Sequence, residues 1–151
     1  MTAPAPAQRL FLPAELTRRA VLEPLVRDEL GCTCPDAVFE HIVLPSGPSD
    51  HPGDWPEGVL VGVGGRLLIL LVEDWRPAEL APRLAAVYAR ARALRDVGGY
   101  NRFRLVLAVA DGVDTAALET VFADLALPDE RLHLHLVPAA AVRARLAGRS
   151  A

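Results

Sequence analysis

Apolar and polar positions along this chain predict about five strands. The run LLILLV, residues 67–72, is apolar at every position, which is typical of a central strand covered on both faces. It follows the apolar run VLVGV, and the glycines at 64 and 65 between the two runs indicate a hairpin turn. The remaining strands are predicted over residues 37–45, 103–110 and 131–137.

Apolar residues at helical spacing predict four helices. In the first we expect a kink or two abutting short helices at Pro24, because proline removes an amide donor and clashes with the preceding turn. The third begins with Asp114 or Thr115 as a capping residue. The helices are predicted over residues 13–30, 77–97, 114–127 and 139–146.

The order of these elements predicts the fold class. The glycine turn implies an antiparallel hairpin, while the later crossovers through helices imply parallel pairing. We therefore predict an α/β fold with a mixed central sheet of about five strands flanked by helices, in the order αβββαβαβα. At 151 residues, we expect a flexible N-terminal segment over 1–10 and a single α/β domain over 11–151.

The segment from His41 to Pro77 resembles the nuclease-related domain of bacterial proteins, which has the restriction-endonuclease-like, PD-(D/E)xK fold. Members of that family have an apolar-Asp-His opening to the second strand, a glycine turn, and a third strand that ends in Glu-x-Lys, a polar residue and Trp. Here PEGVLVG matches the second strand, with Glu57 at the Asp position. Aligning Trp75 puts Leu71 at the family Glu and Glu73 at the family Lys.

This resemblance implies a nuclease fold whose catalytic motif is degenerate. In such nucleases two acids hold Mg²⁺, which polarises the phosphate and activates the attacking water. Leu71 offers no oxygen for either purpose. The resemblance therefore implies a catalytically inactive protein, without a cofactor, that binds DNA or, failing that, a protein partner.

Two other hypotheses stay open. The chain could be a Mg²⁺-dependent DNA endonuclease with displaced ligands, in which Glu57 and Glu73 hold the metal and Asp74 and Glu23 are further catalytic candidates. Adjacent Glu73 and Asp74 point to opposite faces of a strand, so only one could join Glu57. Alternatively, the chain is a purely structural protein-interaction domain. In either binding hypothesis the terminal strand and helix could support a homodimer.

All 16 basic residues are arginine, and the chain contains no lysine. It therefore has no side-chain amine for a Schiff base, a Walker-type phosphate clamp or the lysine of many nucleases. Any phosphate binding must use arginine or backbone N–H groups. Residues 28–74 hold nine acids against one arginine, whereas residues 76–104 hold seven arginines against two acids. This asymmetry suits a metal-and-phosphate site and equally suits internal charge pairing.

Five arginines of the second predicted helix region are candidates for nucleic-acid binding. Arg76, Arg83 and Arg90 recur every seven residues and so line one edge of a helix, with Arg92 and Arg95 on a neighbouring face. Such an edge could follow a phosphate backbone. A solvated helix face is the alternative, because no aromatic residues interleave for base stacking.

Cys32 and Cys34 are too few for a disulfide framework and too close to bridge comfortably, so we interpret them as loop or core thiols. With His41 and His51 they could supply four zinc ligands, although the spacing matches none of the common finger patterns.

His133 and His135 alternate with leucines, so both face one side of a strand. They could bind a metal. The wet outer face of an edge strand explains them more simply.

The compartment is predicted from two further features. The chain has no run of about 18 apolar residues, and its N-terminus lacks the positive start and apolar core of a signal peptide. We therefore expect a cytoplasmic protein without a membrane partner.

Overall fold

The described part of this chain forms a five-stranded mixed sheet with helices on both faces. The computed structural model describes residues 17–44, 56, 58–126 and 131–148. The strands are β1 (Ile42–Val43), β2 (Val59–Val63), β3 (Leu67–Val72), β4 (Arg102–Val109) and β5 (Leu132–Pro138). The helices are α1 (Arg19–Pro24), α2 (Pro77–Leu80), α3 (Leu84–Gly98), α4 (Ala116–Ala126) and α5 (Ala139–Gly148).

The strands lie side by side in the order β1-β2-β3-β4-β5. The pairs β1–β2 and β2–β3 are antiparallel, whereas β3–β4 and β4–β5 are parallel. The predicted α/β class, with a mixed sheet of about five strands flanked by helices, is confirmed. The predicted flexible segment 1–10 lies outside the described residues.

Strand β3 is buried on both faces, as its unbroken apolar run predicts. Its odd-numbered residues join a core that includes Val21 and Leu22 of α1 and Val142 of α5, which we call the α1–α5 core. Its even-numbered residues join a second core with Leu84 of α3 and Leu118 of α4, the α3–α4 core. The centre of the sheet is therefore shielded from water by both helical layers.

The turn between β2 and β3 uses two consecutive glycines, as predicted. Gly64 and Gly65 have φ angles of 62° and 65°, in the left-handed region that residues with a Cβ adopt at a cost. A Cβ on Gly64 would lie 2.6 Å from the Cβ of Val38, whereas a Cβ on Gly65 would meet nothing within 4 Å. Gly64 is thus required both by the backbone and by its close neighbour.

The strand predicted over 37–45 is wrong for most of its length. Residues Asp36–Glu40 form a 3-10 helix, and β1 is limited to Ile42–Val43. Val38 and Phe39 are both buried in the α1–α5 core. Two adjacent side chains point to opposite faces in a strand, so the 3-10 turn is what directs both into one core.

Two prolines change the helices in which they occur. The α-helix α1 ends at Pro24, and a π-helical turn follows directly over Leu25–Glu29, so two short helical segments abut at the proline, which is one of the two predicted arrangements. The helix predicted over 77–97 is interrupted between α2 and α3 by a 3-10 turn, Ala81–Arg83. Pro82 lies in that turn and has no amide hydrogen to donate.

Candidate functional site

The predicted acidic pair lies at the carboxyl end of β3. Glu73 is half-buried and Asp74 is exposed, in a bend that follows the strand directly. The indole Nε1 of Trp75 donates a hydrogen bond of 2.8 Å to the carbonyl oxygen of Ala108 on β4. This bond fixes the exit of β3 against its neighbour. Glu73 and Asp74 therefore lie at the carboxyl end of the central strand, and Glu73 is partly buried there.

Leu71 occupies the position that the resemblance assigns to the catalytic Glu. It is only 1% exposed and lies in the α1–α5 core with Ile69 and Val106. Across the hairpin its partner is Val59 of β2. An oxygen ligand at this position would have to be buried among apolar side chains, which is costly without a partner.

Glu23 is held by two arginines of its own helical region. Arg19 Nε donates to one carboxylate oxygen of Glu23 at 2.7 Å, and Arg27 Nε donates to the other at 2.8 Å. Arg27 also reaches Asp36 at 2.7 Å, and both guanidinium groups lie over the ring of Phe39. The hydrogen bond from Arg19, followed by that from Arg27, lowers the pKa of Glu23. The carboxylate is thus part of an ion-pair network on the surface of α1.

Cys32 and Cys34 form a disulfide with each other, so the interpretation as loop or core thiols is wrong. Gly31, with a φ of 69°, turns the chain just before them. The two Cα atoms lie 5.4 Å apart, which is within the span of a disulfide. The pair therefore supplies no thiolates to the zinc set considered above, and His51 of that set lies outside the described residues.

One of the two predicted metal ligands is not among the residues that the structure describes. Glu57, the expected partner of Glu73, lies outside the described residues. Within the part of the chain that is described, no three His, Cys, Asp or Glu side chains form a group that could hold a metal ion.

The five predicted nucleic-acid-binding arginines differ in exposure. Arg76, Arg83 and Arg92 are exposed and Arg90 is half-buried. Arg95 is 6% exposed, and its Nε donates to Asp96 at 3.1 Å. The buried residues of α3 are Leu84, Val87, Tyr88, Ala91 and Arg95.

The geometry of α3 divides these arginines further. Residues two apart on a helix point roughly 200° apart, so Arg90 and Arg92 lie on opposite sides of α3. Arg83 precedes α3 in the 3-10 turn, seven residues before Arg90. Arg95 continues the buried stripe and faces the sheet. A single phosphate backbone can therefore contact Arg83 and Arg90 together, but not the whole set.

His133 and His135 lie on β5, the last strand in the sheet order, so the edge position that the second interpretation expects is confirmed. Both residues are half-buried, so the face they occupy is not the wet outer face of that interpretation. Their Nε2 atoms are 2.9 and 2.7 Å from the Nη1 atoms of Arg102 and Arg104 on β4, respectively. Burial, followed by the charges of Arg104 and His133, lowers the pKa of His135 to about 4. Each histidine on β5 is thus hydrogen-bonded to an arginine on the neighbouring parallel strand β4.

A cavity of about 340 Å³ opens at the other end of the sheet, beside the amino ends of β3 and β4. Arg66, Arg102 and Arg104 line it, together with the loop that carries the disulfide. Sequence reasoning did not select these arginines. A signal was present, because Arg102 and Arg104 alternate within a strand and must face the same side.

Comparisons with protein-family models, curated proteins and solved structures found no match for this chain. Among the described helices, none combines the length and apolar character that crossing a bilayer requires.

Proposed function

We propose that this chain is a catalytically inactive protein on a nuclease-like α/β scaffold, and that its role is to bind DNA. The observation that carries the proposal is the burial of Leu71, which is 1% exposed at the position where the resemblance requires a Mg²⁺ ligand. Mg²⁺ needs hard oxygen donors in near-octahedral geometry. An aliphatic side chain inside the α1–α5 core supplies none.

The neighbouring residues do not restore the motif. Glu73 stands two positions later, at the family Lys, and the chain has no lysine to take the role of that residue. Glu23 already has both carboxylate oxygens hydrogen-bonded to arginines. Recruiting it to a metal would require breaking two charge-assisted bonds, which are stronger than bonds between neutral groups.

Arginines outside the sheet support the binding role. Arg76 and Arg83 are exposed and Arg90 is half-buried on the α2–α3 side of the molecule. Arginines that neutralise phosphates release counterions from DNA, and this term favours association without base readout. We therefore propose a sequence-independent interaction with the DNA backbone through Arg83 and Arg90, with Arg76 as a peripheral contact.

Cleavage assays test the inactive state. Single- and double-stranded DNA would be incubated with the protein in Mg²⁺ or Mn²⁺, beside the variants Glu57→Ala, Glu73→Ala and, as a matched exposed acid, Glu79→Ala. We expect no metal-dependent cutting by any of them. Cutting that is lost in Glu57→Ala and Glu73→Ala but kept in Glu79→Ala would instead establish the Mg²⁺-dependent nuclease with displaced ligands.

Salt dependence tests DNA binding. Affinity for a short duplex would be measured by fluorescence anisotropy at several salt concentrations. Arg83→Ala should weaken binding and reduce the slope of log affinity against log salt by about one. Arg18→Ala, an exposed arginine next to α1, removes the same charge and should leave the slope unchanged. An affinity that ignores salt and survives loss of Arg83 and Arg90 would reject the proposal.

A protein partner is the second candidate. Strand β5 is a sheet edge, and Leu134 and Leu136 on it are only half-buried. Edge strands with unpaired backbone groups can pair with another chain. A homodimer through β5 would appear in analytical ultracentrifugation as a mass that rises with protein concentration. If the chain is instead a purely structural interaction domain, it should bind no DNA at any ionic strength.

The proposal keeps the cytoplasm as the compartment in which the protein acts. Cytoplasmic thiols are usually kept reduced. The redox state of Cys32 and Cys34 in cells is therefore a direct test of that location.

A further inference from the structure

The cavity at the amino ends of β3 and β4 is lined by arginines that are far apart in sequence. Leu67 of β3 pairs with Arg102 of β4, and Ile69 pairs with Arg104. The carbonyl oxygen of Arg66 accepts hydrogen bonds from the backbone amides of Asn101 at 2.7 Å and Arg102 at 3.1 Å. These two hydrogen bonds hold the hairpin turn against the start of β4. Arg66, Arg102 and Arg104 therefore lie around the same cavity.

The opposite wall of the cavity is the loop closed by the Cys32–Cys34 disulfide. Thr33 and Pro35 of that loop, together with Val38, also face the opening. Both cysteines are half-buried against the α1–α5 core. The bridge closes the short loop from residue 32 to 34 and so restricts the backbone within this wall.

Arg104 carries a positive charge in a half-buried place, and no described carboxylate forms an ion pair with it. The only hydrogen bond that the described residues give it joins Nη1 to the ring of His135, and its Nε is buried without a partner. Burial, followed by repulsion from Arg102, lowers the pKa of Arg104. Arginine nevertheless remains protonated at neutral pH. A charge that is partly removed from water without a counterion is unfavourable, and a bound anion would offset that cost.

Among the described residues that line the cavity, none is a counterion for Arg104. The described residues around the cavity include three arginines and no carboxylate. Neither Arg66 nor Arg104 is in an ion pair with any described residue. His135 is neutral at pH 7, so it accepts a hydrogen bond from Arg104 without balancing its charge.

We infer that this cavity binds the phosphate group of a phosphate monoester, with Arg104 as its central ligand and Arg66 and Arg102 beside it. A dianionic phosphate offers several oxygens to planar guanidinium groups and suits three positive charges better than one carboxylate does. The cavity, at about 340 Å³, lies at the lower end of the roughly 300 to 1,000 Å³ typical of ligand pockets. The phosphate could belong to a small molecule or to the 5′ end of a nucleic acid.

This site is separate from the surface proposed for DNA. It opens on the α1–α5 side of the sheet, whereas Arg83 and Arg90 belong to the α2–α3 side. Glu73 follows the other end of β3, and six strand residues span about 20 Å. The two proposals can therefore fail independently.

Inorganic phosphate and a 5′-mononucleotide are suitable first probes. Binding would be followed by calorimetry and by the melting temperature, with acetate at matched ionic strength as the control for charge alone. We expect both phosphates to bind and to raise the melting temperature of the wild-type protein, and acetate to do so less. Equal shifts with acetate and phosphate would overturn the inference.

Arg104→Met removes the central charge and keeps an apolar stem of similar length. Because it removes a half-buried charge that has no ion pair among the described residues, the ligand-free variant should unfold at no lower denaturant concentration than wild type. Its affinity for inorganic phosphate should fall about tenfold or more, the value expected for losing a charged hydrogen bond. Arg18→Met, with the same change of net charge, should keep the wild-type affinity.

Arg66→Met provides a second variant on the exposed turn, where folding is less at risk if Arg104→Met fails to fold. It should also weaken phosphate binding several-fold, and unchanged binding in both Arg66→Met and Arg104→Met would overturn the inference.

Oligonucleotides with a 5′-phosphate or a 5′-hydroxyl identify the source of the phosphate. A preference for the 5′-phosphate that is lost in Arg104→Met but kept in Arg83→Ala assigns the site to nucleic-acid ends. Binding of the mononucleotide without that preference assigns it to small molecules.

Discussion

Arg104 and His135 face each other across the parallel pair β4–β5, with Nη1 of the guanidinium 2.7 Å from Nε2 of the ring. A guanidinium has donors only, so the ring nitrogen must accept and cannot carry a proton. This agrees with burial and nearby positive charges lowering the pKa of His135 to about 4. The pair is therefore a charged donor and a neutral acceptor, and it exists only while the imidazole stays unprotonated.

The first prediction is that acidification destabilises the fold through His135. In the unfolded chain the ring titrates near 6.5, and in the folded chain near 4. Between these values the unfolded chain binds more protons, so stability is fully present above pH 6.5 and is lost as the pH falls towards 4. We expect a loss of about 1 to 2 kcal/mol across this window, because solvent screens the partly exposed ring. Urea unfolding at closely spaced pH values measures it.

His135→Gln is the control for this effect, since its amide oxygen can take the place of Nε2 as the acceptor for Arg104 without a titrating group. The slope of stability against pH in that window should shrink. Glu23 acts in a lower window: its pKa is lowered by hydrogen bonds from Arg19 and Arg27, so its contribution is lost only as the pH falls below its ordinary value of 4.5. A His135 ring that titrates near 6.5 in the folded protein, measured by NMR, would contradict the prediction.

The second prediction concerns the position where the resemblance expects an acid. Leu71→Ala should lower the free energy of unfolding by about 2 to 5 kcal/mol, because it removes buried methyl groups and leaves a cavity. Leu44 is 43% exposed, so Leu44→Ala should cost no more than about 0.5 kcal/mol. Equal losses for the two variants in urea unfolding would show that Leu71 does not lie in the core.

The third prediction separates two costs of replacing a turn glycine. Gly65→Ala should lose about 1 to 2 kcal/mol, since alanine must adopt a left-handed conformation in open space. Gly64→Ala should lose about 1 to 3 kcal/mol more, because its Cβ would also overlap Val38 and force a shift. Urea unfolding of both variants gives the difference directly. Equal losses would mean that Val38 does not lie in close contact with Gly64 of the hairpin turn.

The fourth prediction concerns the Cys32–Cys34 disulfide. Reduction should lower the free energy of unfolding by only about 1.5 kcal/mol, because the bridge closes a very short loop and its effect on the unfolded chain grows with loop length. The double variant Cys32→Ser/Cys34→Ser should show the same loss and no response to reductant. Urea unfolding with and without reductant is the measurement.

The same pair of cysteines tests the compartment. Rapid alkylation of intact cells followed by mass spectrometry would give the reduced fraction. A largely reduced pair is expected in the cytoplasm. A fully oxidised pair would argue for an oxidising compartment instead.

Most of the fold could be predicted from the long apolar runs in the sequence. LLILLV could be read as a doubly covered strand because every position is apolar, and the paired glycines located the hairpin. The region around Val38 was predicted wrongly, because a strand and a 3-10 turn are both compatible with a short apolar run. Helix spacing places Arg95 four residues after Ala91, on the buried stripe of α3, but its charge favoured a surface position and so it was predicted as a DNA contact.

The candidate sites were harder to predict, because they depend on strands that meet only in three dimensions. Arg66 and Arg104 are 38 positions apart in sequence and come together through the parallel pairing of β3 with β4. The Cys32–Cys34 bridge depends on the turn at Gly31, which spacing alone does not reveal. Glu73 was located correctly at a strand end because the apolar run stops there.

The order of strands across the sheet is also their order of synthesis. Each new strand leaves the ribosome beside a neighbour that has already been made, so pairing can proceed while translation continues. Helix α5 contacts α1, and so one helical layer has to wait for the last described segment. A nascent chain halted before α5 is therefore expected to hold a formed sheet whose α1–α5 face is covered by α1 but not yet by α5, the stage at which chaperones would bind it best.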